Sequence, residues 1–240
     1  MKERPILFSA PMVKALLAGT KRQTRRIMKP QPSEHVSIHG KPLGIIWPGK
    51  HPPVTNSRDP EEWLRECPYG VAGDRLWVRE TWYDDFERAP GEANEMNIDR
   101  FDDGRVEGIE YRATHDCSNF EAGCPCDPEG DGKRSEWRPS IFMPRWASRL
   151  TLEVIAIRVE RLQDISEADA RAEGIASVRP SPSAPPVFCV GDGENGPYFE
   201  TARDAYAVLW DAINAERATW KSNPFVWTVE FRELEIARAA

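Results

Sequence analysis

Three stretches of this chain alternate apolar and polar side chains with a period of two, and most segments between its strands lack a crossover helix. Gly73 to Trp82 sets Leu76, Val78 and Glu80 on one side and Trp77, Arg79 and Thr81 on the other. Ser148 to Leu162 alternates over a longer span, and Pro224 to Phe231 repeats the pattern near the end. Parallel layering needs a helix between successive strands. The pattern therefore predicts an α+β fold, a small β-barrel with peripheral helices.

The shorter elements follow from local chemistry. Pro5 to Phe8 reads as a strand, and Ser9 caps a helix with Pro11 in its first turn. Met12, Ala15 and Leu16 share one helical face, and Gly19 ends it. Gly108 to Arg112 returns as a strand. Ser166 to Gly174 is a short capped helix, and a helix over Phe199 to Asn214 stacks Ala202, Tyr206, Leu209, Trp210 and Ile213. Between these elements lie long insertions over 30–70, 83–140 and 176–197, where most of the 21 prolines and the irregular polar runs fall. Residues 1–240 read as a single elaborated domain.

Composition narrows the partners. A net charge of -7 argues against coating long duplexes, which requires many neutralised phosphates. No run of about 20 apolar residues predicts a membrane span. Five cysteines, an odd number, and an N-terminus without a long apolar stretch predict a reduced, cytoplasmic protein. Cys117, Cys124 and Cys126, with His115 beside them and Cys67 earlier, are either reduced thiols or a zinc staple for 113–140. Their Cys-x-Cys spacing is tighter than ordinary zinc pairs. No metal or cofactor is assigned. Trp77, Trp82, Trp210 and Trp227 belong to periodic segments and read as core. Trp47, Trp63 and Trp137 lie in loops, where they either pack onto a barrel end or stack on a base.

Against this acidic background stands Gly19-Thr20-Lys21-Arg22-Gln23-Thr24-Arg25-Arg26, followed by Lys29, with no carboxylate in the run. It reads either as a solvated basic loop or as a small site for an anionic, nucleotide-like ligand. A threonine hydroxyl needs a neighbouring base to become a nucleophile. A lysine serves as that base only when burial or nearby cations lower its pKa. Lys21 has Arg22, Arg25 and Arg26 close in sequence. Glu80, at the end of an apolar strand, is a second candidate, as a cleft residue or as an arginine's ion-pair partner.

Leu16 to Arg26 resembles the Leu-x-Gly-x-Lys-x-x-Thr-x-Arg signature of ASCH domains, members of the PUA-like β-barrel superfamily. Gly73 to Glu80, the long strand leading into Leu162-Gln163-Asp164-Ile165-Ser166, and the strand ending Val229-Glu230-Phe231 extend the likeness. With Ile141 to Arg149 the layout also resembles a group of phage and prophage proteins. The resemblance implies a cleft for a modified base, nucleoside or stretch of RNA. Compact ASCH proteins of this kind hydrolyse the amide of N4-acetylcytidine with a lysine, a threonine and a glutamate. Lys21 and Thr24 match the first two, and Glu173 falls where the third is expected. The expected roles are Thr24 as nucleophile, Lys21 as base and Glu173 as acid to the leaving amine. Arg26, Arg25 and Glu80 are the substrate-binding candidates. The alternatives are a non-catalytic RNA- or modified-base-binding module and a phage accessory or assembly scaffold.

Overall fold

The structure is a computed structural model that describes residues 1–36, 42–46, 64, 67–84, 101, 104–115, 137–179, 181, 183–190 and 197–234. In chain order the elements begin with β1 (Glu3–Leu7), α1 (Ala10–Leu17), β2 (Gln23–Ile27), β3 (Ser33–Val36) and β4 (Pro42–Ile46). Next come β5 (Arg75–Arg79), β6 (Trp82–Asp84), β7 (Ile109–Tyr111) and the long β8 (Thr151–Arg161). The chain closes with α2 (Glu167–Ala172), β9 (Ala176–Val178), β10 (Val187–Cys189), α3 (Ala202–Asn214) and β11 (Phe225–Glu233). The class is α+β, with few helices.

The residues cluster into two compact units. The first comprises Met1–Gly19, Asp74–Glu153 and Arg232–Ala240, and the second Thr20–Gly73 and Val154–Phe231. In the first unit β5 lies between β1, parallel to it, and the start of β8, antiparallel to it. In the second unit β11 lies between β8 and β2, antiparallel to β2. Among the described residues these sheets are open rather than closed into a barrel, with β1 and β2 as end strands. The remaining pairs, β3 with β4, β6 with β7 and β9 with β10, are separate two-stranded ribbons.

Local chemistry explains the helices. Ser9 has the extended backbone of an N-cap, Pro sits at the start of α1, and Gly19 (φ +68) turns the chain out. The buried face of α1 is Val13 and Leu16, one step round from the expected Met12, Ala15 and Leu16. Thr201 caps α3 by accepting from the Asp204 amide, and Ala202, Ala205, Tyr206 and Trp210 form its buried stripe. Ile213, expected on that stripe, is exposed.

Each unit has its own apolar cluster. Trp82, Val106, Ile109, Tyr111, Met143 and Ala147 pack in the first. In the second, Leu162, Ile165, Ile175, Phe188, Tyr206, Trp210 and Val226 join the alanines of α2 and α3. Phe188 belongs to the expected insertion over 176–197, which is therefore not a bare loop. β9 and β10 pair there, and Phe188 and Phe199 exchange backbone hydrogen bonds at 2.9 and 2.8 Å. Most of the other two expected insertions lies outside the described residues, as do Trp47, Trp63, His39, His51, Cys117, Cys124 and Cys126. Trp77 is half-buried rather than core. No described helix is long and apolar enough to cross a membrane.

Candidate functional site

The basic stretch does not form a solvated loop. Lys21 is 3% exposed and Arg25 4%, and the segment becomes β2, zipped to β11 from Gln23↔Glu230 to Ile27↔Val226. Burying such charges is costly unless each finds a partner. Their partners come from α2 and β8, far away in sequence.

The geometry begins at Ser166, whose hydroxyl caps α2 by accepting from the Asp169 amide at 3.1 Å. One short helix later Glu173 is the C-cap, and Gly174 at φ +99 turns the chain away. That end of α2 still has carbonyls to satisfy. The Arg22 amide donates to Ala172 O at 2.8 Å, and Lys21 Nζ donates to Glu173 O at 2.8 Å. The same ammonium meets Glu173 Oε2 at 2.9 Å. Two residues separated by 152 positions thus share a buried, doubly bonded contact.

Arg25 extends the cluster. Its guanidinium reaches Glu173 Oε1 at 3.4 Å, Glu160 Oε2 at 2.9 Å and Asp169 Oδ2 at 3.3 Å. Glu160 also accepts from Thr228 Oγ1 at 3.1 Å and pairs with Arg158 at 2.7 Å. Arg158 continues to Glu230 and Asp169. Gln23, buried on the same face of β2, places its amide nitrogen 3.2 Å from Asp169 Oδ1 when the amide is turned to satisfy both its ends.

These contacts set the proton chemistry. Burial holds the Lys21 ammonium below the ordinary lysine value of 10.5, against the pull of Glu173 and with help from Arg26 and Arg25. Glu160 feels a desolvation push upward, but hydrogen bonds from Arg158 and the charge of Arg25 win and hold it below the usual range. Tyr206 on α3 is raised well above 10.0 by burial and by the Glu173 charge. Tyr69 is raised by burial, opposed by Arg26. A lysine with a lowered pKa, hydrogen-bonded to a carboxylate, gives up its proton more readily than an ordinary lysine; an arginine keeps its proton.

The remaining sequence candidates separate. Arg26 is half-buried opposite Trp227 in the β2–β11 register and lies within electrostatic reach of Lys21. Thr24 is 2% exposed and pairs with Val229. Alternation along β2 puts it on the face opposite Gln23 and Arg25. Glu80 belongs to the first unit, where both its oxygens are 2.9 Å from Arg149 nitrogens. Glu80 is therefore the ion-pair partner of an arginine. Glu160, Asp169, Thr228 and Arg158 are the partners that sequence reading missed. Their one local signal is the i, i+4 spacing of Asp169 and Glu173, which puts both carboxyls on one side of α2. Among the described residues no group of three or more His, Cys, Asp and Glu is arranged to hold a metal ion. Cys67 and Cys189 are buried thiols.

No protein-family model matches this chain, and no curated protein or solved structure matches it.

Proposed function

We propose that the second unit is an amidohydrolase site for an N4-acylated cytidine, free or within RNA, on an ASCH-type, PUA-like scaffold. The observation that carries this reading is the 2.9 Å contact between Lys21 and Glu173, both buried. The residues that the ASCH resemblance implies as base and acid are neighbours despite their distance in sequence. Lys21 also has the lowered pKa that a base requires.

Thr24, the nucleophile that the resemblance implies, bonds through Oγ to the acyl carbon while its proton passes to neutral Lys21 Nζ, a step that requires β2 to present Thr24 on the Lys21 side. Lys21 relays a proton to Glu173 Oε2, and Glu173 delivers it to the departing N4 amine as the C–N bond breaks. Water then hydrolyses the threonyl ester and regenerates Thr24. Arg26 stabilises the negative charge that develops on the acyl oxygen. Arg25 holds Glu173 in place from its other oxygen, at 3.4 Å.

A second reading is a non-catalytic module that binds the modified base through the same residues. The position of Thr24 on the opposite face of β2 from Arg25 favours it. Incubation with N4-acetylcytidine, followed by chromatography of released cytidine, separates the two. Release by wild type that is lost in Lys21→Ala and Thr24→Val supports hydrolysis. Binding without release, again lost in Lys21→Ala, supports the module.

A further inference from the structure

The first unit carries an open sheet face that the Lys21 reading does not use. Leu76 and Val78 of β5, and Glu80 just after it, are buried on one side, leaving Arg75, Trp77 and Arg79 on the other. Register places Glu3 and Leu7 of β1 and Thr151 and Glu153 of β8 beside them. Leu7, opposite Arg79 in this register, is 41% exposed.

Its centre is Trp77, with the guanidinium of Arg79 5.1 Å and that of Arg145 6.0 Å from the ring centroid. Arg145 is further held by Glu3 at 3.0 Å and by Thr151 Oγ1 at 3.3 Å. Arg79 donates from Nε to Met143 O at 2.9 Å, which leaves its terminal nitrogens with no carboxylate among the described residues. A half-buried guanidinium steadied by a ring and a carbonyl is preorganised to accept an anion. The segment that supplies Met143 also presents Phe142, 69% exposed, and Ile141, 56% exposed.

We infer that the Trp77–Arg79–Arg145 face with Phe142 is a binding site for single-stranded nucleic acid. Arg79 and Arg145 take adjacent phosphates, and Phe142 stacks on a base. Aromatic stacking with a cationic track is how single strands are held without base readout. Charge favours this occupant over an acidic or apolar protein surface. Arg75, Arg79, Arg145 and Arg232 outnumber Glu3 and Glu153 on this face, in a chain whose net charge is -7. The site is small, so its salt dependence is shallow: two phosphate contacts give a log–log slope of about 1.4.

The test is fluorescence anisotropy of the full chain with labelled single-stranded RNA and DNA of roughly 12 nucleotides. Phe142→Ala, on an exposed side chain whose loss leaves the fold intact, weakens binding about tenfold. Arg79→Gln weakens it further and flattens the salt slope, and both variants keep the wild-type melting temperature. Lys21→Ala leaves binding unchanged, so the result is independent of the amidohydrolase reading. Absence of binding at low salt overturns the inference. So does binding lost in Lys21→Ala but intact in Phe142→Ala. Loss of self-association or of a protein partner in Phe142→Ala, with oligonucleotide binding unaltered, reassigns the face to protein contact.

Discussion

Two buried ion clusters, one in each unit, use the same residue types for different ends. In the first unit Arg149 clamps Glu80 with two 2.9 Å hydrogen bonds, reaches Thr114 Oγ1 at 3.1 Å and lies 4.1 Å over the Tyr111 ring. Burial pushes the Glu80 carboxyl up, and Arg149 alone pulls it back. In the second unit Glu173 is divided between Lys21 and Arg25, and Arg25 between Glu173, Glu160 and Asp169. The decisive difference is lysine against arginine. A guanidinium stays protonated, so the Arg149–Glu80 pair orders its surroundings and moves no proton. Lys21, held below its ordinary pKa, can release one to a carboxylate 2.9 Å away.

The largest effect expected from breaking this comparison is on turnover. Lys21→Met lowers cytidine release from N4-acetylcytidine by about 10²–10⁴-fold, the range for losing a general base. Circular dichroism should report an unchanged fold. Activity rises with pH as Lys21 loses its proton, with a midpoint below 10.5. A flat profile in that range removes Lys21 as the base.

Next comes stability. Arg149→Ala leaves Glu80 buried without its partner and costs about 3–5 kcal/mol in denaturant unfolding. The double variant Arg149→Met with Glu80→Leu recovers most of that loss. A stable single variant would mean that Arg149 does not hold the first unit together.

The two clusters also respond oppositely to pH. Glu160 titrates lower folded than unfolded, so its contribution is present above about 4.5 and fades as pH falls through its depressed value. Glu80 titrates higher when folded, so its contribution is fully present below about 4.5 and lost as pH rises through its raised value. Unfolding curves of Glu160→Gln and Glu80→Gln across pH, each measured against wild type, should therefore diverge in opposite directions. Smallest is Ser166→Ala, which removes the cap of α2 and costs about 1 kcal/mol. Because α2 carries Glu173, a drop in activity larger than the drop in stability would sharpen the link between cap and site.

What was legible in the sequence was local. The alternation of Leu76, Val78 and Glu80 gave the buried side of β5, and Ser166 with Gly174 bounded α2. The stripe of Ala202, Tyr206 and Trp210 gave α3. What escaped depends on pairing between distant segments. Glu160 becomes a partner of Arg25, and Thr228 the residue that faces Arg25 and donates to Glu160, only once β8 and β2 flank β11, which no local pattern encodes. Reading Lys21 to Arg26 as a basic run hid that it becomes a strand, whose alternation separates Thr24 from Arg25. Phe188 sits among prolines and glycines, so its role as a core anchor shows only once β9 and β10 pair. Of the expected site, Lys21, Arg25 and Glu173 converge, with Arg26 in electrostatic reach, while Glu80 belongs to the other unit.

The most direct test is cytidine release from N4-acetylcytidine, measured side by side for wild type, Glu173→Gln and Glu80→Gln under conditions where all three are folded. Wild type and Glu80→Gln are expected to release cytidine, and Glu173→Gln to lose that release. Release by Glu173→Gln at the wild-type rate, or none by wild type on either nucleoside or RNA, would contradict this expectation.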